Sequence, residues 1–208
     1  MSAATEQQPA APADQAKGGF WDEMASLKTP AYKDIQPIPK IGAAAPKSEK
    51  IPLDDGKPTI VVFLRHCGCP FAEKAFKQLT AVSDKHKDVH CYAVSHSSTD
   101  HTEKWVPQVG GNWAVDVIVD VERDLYAQWG LGVASVWHVF NPWVISSLLK
   151  MGKEEGIYNK PTESGNRWQT SGIFAVDAKG VVQLAHISKA ADDIGDITAA
   201  LKAVGIEA

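Results

Sequence analysis

Two cysteines one residue apart stand in the stretch His66-Cys67-Gly68-Cys69-Pro70. Cysteine acts chemically as the thiolate, and a thiolate is favoured where unpaired backbone N–H groups or a positive charge face it. Pro70 suits the first position of a helix, because its fixed φ fits and its missing N–H would be unpaired there anyway. Cys69 then falls at the N-cap, at the positive end of the helix dipole, and is the expected nucleophile. Cys67 offers a second thiol. A Cys-x-Cys pair can close a small, strained and labile disulfide; the alternative is a small residue filling the loop. Arg65 and His66 precede the pair and would stabilise the thiolate or bind an anionic group of a substrate. Arg65 would otherwise end a strand in a surface ion pair. Cys91 sits in an apolar stretch and reads as core. His66, Cys67 and Cys69, joined by His96 or His101, have metal-ligating side chains. Zinc sites draw four ligands at recognisable spacings, however, and no second cluster is present. No metal is expected.

The elements that position these residues follow from periodicity. Residues 60–64 form an unbroken apolar run, as in a strand covered on both faces. After Pro70 the apolar residues Phe71, Ala75, Phe76, Leu79 and Val82 follow helical spacing. Further strands are predicted at 89–95 and 115–119. A helix with a capping box at Asp100 and Glu103 is predicted to reach about residue 109, and another covers 122–129 and stops at Gly130. Asn141-Pro142 is an N-cap and first-turn pair for a helix ending at Gly152. Strands at 173–176 and 181–185 flank Asp177-Ala-Lys-Gly180, a hairpin signature. A last helix is marked by Ile194, Ile197, Leu201 and Val204. Three βα units, a hairpin and a helix predict an α/β fold with a central mixed sheet flanked by helices. A reactive cysteine at the first strand-to-helix turn is the thioredoxin-like arrangement.

Residues 131–168 form a Trp-rich insertion of helix and loop before the final hairpin. Trp137, His138, Trp143 and Trp168, with Ser171 just beyond, are candidates for one wall of a substrate pocket. Plain packing of a long excursion is the equally weighted alternative. The chain holds seven tryptophans and only three arginines, at 65, 123 and 167, so Arg167 is the other arginine expected near the cysteine loop.

The 208 residues carry 21 Lys and Arg against 25 Asp and Glu, with no basic block. Nucleic acid is therefore not an expected partner. No apolar run approaches membrane-spanning length, so no membrane partner is expected. Three cysteines are too few for a secreted disulfide framework, which points to a reducing, cytoplasmic setting. Residues 1–18 read as a disordered tail and 19–57, with a short helix at 20–27, as an extension or linker. The folded domain is expected over 58–208.

Several segments resemble, in order, the AhpC/TSA-type, peroxiredoxin-like branch of the thioredoxin superfamily. They are Phe-Leu-Arg-His-Cys-Gly-Cys-Pro-Phe-Ala at 63–72, Ala-Val-Ser-His-Ser-Ser at 93–98 and Val-Asp-Val-Glu-Arg-Asp-Leu-Tyr at 119–126. Gln-Thr-Ser-Gly-Ile-Phe-Ala-Val-Asp at 169–177 and Gly-Val-Val-Gln-Leu-Ala-His at 180–186 complete the set. The resemblance covers most of 50–205 and implies a peroxide-reducing thiol oxidoreductase with Cys69 as nucleophile. Departures from the family pattern are visible. Ala72 stands where related domains often carry a second cysteine. His66 replaces a threonine, and Ser171 replaces an arginine before the Gly-x-Phe strand. With those departures, Cys67, glutathione or another small thiol is expected to reduce the oxidised cysteine. No bound cofactor is expected, the substrate is a small peroxide or hydrophobic compound, and a homodimer is a compatible assembly. Two other readings are an enzyme that reuses the scaffold for other chemistry on a hydrophobic molecule, and a non-catalytic binding module.

Overall fold

The computed structural model describes residues 24–53, 55–161 and 164–207. The tail expected at 1–18 and the start of the helix expected at 20–27 lie outside the described residues, whereas 24–26 form one helical turn. Five strands form one sheet in the order β3-β2-β1-β4-β5. They are β1 (Thr59–Phe63), β2 (His90–Ser95), β3 (Val115–Val119), β4 (Gly172–Val176) and β5 (Val182–Ile187). β1, β2 and β3 are parallel, β4 runs antiparallel to β1, and β5 antiparallel to β4. The sheet is thus mixed on one side, as the order of predicted elements requires.

The apolar run of β1 is explained by its central place. Ile60, Val62 and Leu64 pack on one face, with α1 (Pro70–Lys85), α2 (Thr99–Gln108) and α6 (Ile197–Ala203). Val61 and Phe63 pack on the other, with α3 (Asp124–Gln128) and the extended chain around Ile51. On that second face Phe63, Tyr126, Trp129 and Phe174 form an aromatic cluster with ring centroids 4.8–5.7 Å apart. Trp105 packs against Phe76 at 5.1 Å. Trp105 and Trp129 are therefore core residues.

Several boundaries differ from the sequence reading, each for a local reason. The N-cap of α2 is Ser98, two residues before Asp100, because the Ser98 hydroxyl accepts from the His101 N–H. α3 begins at Asp124, since Arg123 adopts a left-handed conformation with φ 62° and the Asp120 carboxylate takes the Leu125 N–H at 2.8 Å. The insertion contains a short helix that periodicity did not reveal, α4 (Val136–Phe140), capped by Ser135. α5 (Pro142–Glu155) starts at the Asn141-Pro142 pair as expected but runs past Gly152 to Gly156. Gly152 serves packing instead of termination: a Cβ there would lie 2.9 Å from the Tyr158 ring. α6 starts at Ile197, where the Asp196 side chain caps two N–H groups.

Tyr126 ties α3 to the end of the sheet that carries the cysteines. Its buried hydroxyl lies 2.7 Å from both the Leu64 and the Val94 carbonyl oxygens, one residue before Arg65 and one before Ser95. Tyr126→Phe removes the hydroxyl between those buried carbonyls, of which Val94 keeps only the Leu64 N–H, and is expected to cost about 1–3 kcal/mol. Urea denaturation measures it, and a change below a few tenths would contradict the bridging role.

Candidate active site

The cysteine loop leaves the end of β1 and is held from three sides. The Cys67 N–H donates to the Ser97 hydroxyl at 2.9 Å, and the Cys69 N–H to the His66 carbonyl at 3.2 Å. Residues 159–161 and 164–167 of the insertion close over the loop. The Lys160 N–H donates to the Gly68 carbonyl at 3.1 Å, and Lys160 Nζ reaches Glu73 at 3.2 Å. Gly68 has φ 92°, and a Cβ there would sit 2.7 Å from the Pro161 carbonyl oxygen. Gly165, φ 88°, presses equally closely on Ser97 and His66. Only glycine fits these two approaches.

Cys69 is the N-cap of α1, with Pro70 at the first turn as expected and no side-chain capping bond. It is 5% exposed, yet it lines a cavity of about 260 Å³. One wall of that cavity comes from the insertion: Val139 and Phe140 of α4, and Val144, Ile145, Leu148 and Leu149 of α5. Arg65, His66, Asn159 and Arg167 supply its polar groups. The insertion thus walls the cysteine cavity, but with aliphatic residues and one phenylalanine. None of the three tryptophans lines it. Trp137 and Trp143 are 69% and 76% exposed. Trp168 bonds the Leu27 carbonyl and lies 6.1 Å from the Phe140 ring. His138 is buried behind the wall, and burial first, then Arg65, lowers its pKa. Ser171 lies under the loop, 2.8 Å from the Ser188 hydroxyl, beside a void of about 10 Å³ that Arg65 also lines. The aliphatic wall escaped the sequence reading because those side chains match an ordinary amphipathic helix.

Arg65 is the unusual group. It is 4% exposed instead of ending the strand at the surface. Nη2 donates to the Arg167 carbonyl at 2.7 Å, whereas among the described residues Nε and Nη1 find no partner. The void by Ser171 is the size of about one water molecule and could serve an N–H, but water does not balance the charge. Arg167 donates from Nε to the Ser26 hydroxyl at 3.0 Å, and burial lowers its pKa. His66 does not add a cation. Burial, with Arg65 beside it, holds its pKa down at about 3, so the ring is neutral. Its Nδ1 is 3.0 Å from the Cys67 carbonyl. That nitrogen must carry the proton, which leaves the lone pair on Nε2.

The loop separates the two cysteines. Cys67 lines a different pocket, of about 190 Å³, with His101, Lys104 and Lys160. Its sulfur lies 3.8 Å from the hydroxyls of Ser95 and Thr102, and burial pushes its pKa up. Cys91 is buried in β2 with a pKa pushed up to about 12 by burial and then by Asp116. All three cysteines are free thiols. Among the described residues no group of three His, Cys, Asp or Glu is placed to hold a metal ion, and no helix is long and apolar enough to cross a membrane.

A mixed five-stranded sheet flanked by helices, with a cysteine at the first strand-to-helix turn, is a thioredoxin-like fold of the peroxiredoxin type. The model of the AhpC/TSA antioxidant enzyme family matches residues 74–190, over half of the chain, and the chain belongs to that family. The matched segment begins five residues after Cys69, so family membership does not by itself assign the nucleophile. No curated protein matches the chain. Three solved structures share the fold. A cysteine-to-serine mutant of peroxiredoxin 6 from Arenicola marina is 13% identical, with 79% of this chain and 71% of that one covered and a TM-score of 0.56. Peroxidoxin BcpB from Mycobacterium tuberculosis is 12% identical, with 80% and 96% covered and a TM-score of 0.53. A thiol peroxidase from Chromobacterium violaceum is 14% identical, with 81% and 88% covered and a TM-score of 0.51.

Two predictions follow from this geometry. Limited alkylation near neutral pH labels Cys69 first, since it alone of the three lines the larger cavity and the other two thiols are pushed towards the neutral form; first labelling of Cys67 or Cys91 contradicts it. The second concerns pH. Burial lowers His66 to about 3 and His96 to about 4, from 6.5. The folded state therefore binds fewer protons than the unfolded state below pH 6.5, and stability present above that value is lost as pH falls. Each histidine contributes a slope of up to roughly 1.4 kcal/mol per pH unit. Urea midpoints at falling pH should drop between 6.5 and 5, and a flat profile would contradict the neutral buried rings.

Proposed function

We propose that the protein is a thiol-dependent oxidoreductase that reduces hydroperoxides through Cys69. One observation carries this reading: the only cysteine at the start of α1 opens into a cavity that also holds a buried arginine. The Cys69 thiolate attacks the distal peroxide oxygen. The O–O bond breaks, the leaving oxygen takes a proton, and Cys69 becomes a sulfenic acid. Arg65, from the end of β1, lines the same cavity as Cys69. It stabilises the thiolate and the negative charge that develops on the leaving oxygen. Arg167 adds a second positive group at the same cavity. Neutral His66 orients the loop through its bond to Cys67 and carries no charge into the reaction.

The aliphatic wall supports a second reading, other chemistry on a hydrophobic small molecule. Peroxide consumption in the presence of dithiothreitol separates the two. Wild type is expected to consume hydrogen peroxide and cumene hydroperoxide, and Cys69→Ser to fall to the uncatalysed background. Equal consumption by both proteins, or none by wild type, would reject the peroxidase reading.

A further inference from the structure

His96 takes no part in the reaction drawn above, yet it is 2% exposed and touches two parts of the site. It follows β2, and its Nε2 lies 3.0 Å from the Asn166 backbone nitrogen and 3.1 Å from the Asn166 carbonyl oxygen. Its Nδ1 lies 3.4 Å from the Tyr126 hydroxyl, and the two rings meet edge to face at 5.3 Å. The neutral ring has two tautomers, and its partners choose between them. The single hydroxyl proton of Tyr126 goes to the Leu64 or the Val94 carbonyl, each 2.7 Å away, so towards His96 the hydroxyl accepts. Nδ1 therefore carries the ring proton. Nε2 keeps its lone pair and accepts the Asn166 N–H, which has no other acceptor among the described residues. The reverse tautomer would leave that N–H unmet and set two acceptors face to face at Tyr126. Burial holds the His96 pKa down at about 4, so the lone pair is present at neutral pH.

Asn166 stands one residue before the group that holds Arg65. The Arg167 carbonyl takes Arg65 Nη2 at 2.7 Å, and both arginine side chains line the Cys69 cavity. The N-terminal extension holds this stretch from one side. Asn166 Nδ2 donates to the Lys28 carbonyl at 2.7 Å, and the Arg167 N–H to the Ser26 carbonyl at 3.1 Å. From the sheet side His96 meets the Asn166 N–H, and the approach is close: a Cβ on Gly165 would lie 3.2 Å from Nε2. We propose that His96 is a positioning residue: by accepting the Asn166 N–H it fixes the Arg167 carbonyl, and through that carbonyl the place of Arg65 in the Cys69 cavity. The effect on turnover rests on the peroxidase reading of the site; the effect on Arg65 does not. The role calls for a neutral ring, since a protonated one would face the Asn166 N–H with a donor of its own.

His96→Asn and His96→Gln separate positioning from packing, because both place a smaller amide in the buried site. The Asn amide reaches where Nδ1 stands but falls short of Nε2, whereas the Gln amide oxygen reaches the place of Nε2 and can accept. With cumene hydroperoxide, His96→Asn is expected to lower kcat about tenfold with KM little changed, the mark of a contact that serves the transition state. His96→Gln should recover to within about threefold of wild type. Alkylation of Cys69 reads the same contact without peroxide. The ratio of its rates with iodoacetate and iodoacetamide depends on where the arginines of the cavity stand. That ratio should fall about two- to fivefold in His96→Asn, the scale of a single charge pair, and return in His96→Gln. Equal effects of the two variants, or none from either, overturn the proposal. If His96→Asn does not fold, wild type decides: the nitrogen chemical shifts of the His96 ring at neutral pH report its tautomer. The Nδ1–H form upholds the proposal and the Nε2–H form overturns it. No turnover of peroxide by wild type, with the alkylation ratio still distinguishing the variants, upholds positioning and rejects only the peroxidase reading.

Discussion

The close approach of Lys160, Pro161 and Gly165 to the cysteine loop is the contact on which the site depends. At Gly68 two backbone segments meet with no room for a side chain, and the Lys160 N–H is bonded to the Gly68 carbonyl. This contact fixes which way each cysteine faces. Cys67 is turned into the pocket beside α2, and Cys69 towards α4 and α5. The loop can hold this shape because its other side rests on the ends of β1 and β2, which Tyr126 joins. Packing of the insertion and orientation of the two cysteines are therefore one structural fact.

Burial of Arg65 is the second constraint. A guanidinium inside a protein is costly unless an anion or several acceptors compensate it. Here one carbonyl does so among the described residues. The neutral state of His66, and the lowered pKa values of His96 and His138, all carry a contribution from this charge. The site thus concentrates positive charge on the arginines and leaves its histidines uncharged. Cys69 lines the same cavity as this arginine.

Much of the fold was legible because local signals agreed with one another. The two-sided apolar run of β1, Pro70 after Cys69, Asn141-Pro142 and the Asp177–Gly180 turn each state their element, and each is found. The site was legible only in part. Cys69 at the helix start could be read from Pro70. The depth of Arg65 could not, since nothing in its neighbours distinguishes a buried strand end from an exposed one. The separation of Cys67 from Cys69 was equally hidden, because a contact over ninety residues of chain turns Gly68. The tryptophans drew attention as large rings, yet the cavity wall is made by side chains that look like ordinary helix packing.

The most direct measurement is the chemical state of each cysteine after one equivalent of hydroperoxide. Protein treated in this way and trapped with dimedone should carry the sulfenic acid adduct on Cys69 alone, identified by peptide mass spectrometry. An adduct on Cys67 or Cys91, or an unmodified Cys69 once the peroxide has been consumed, would contradict the account.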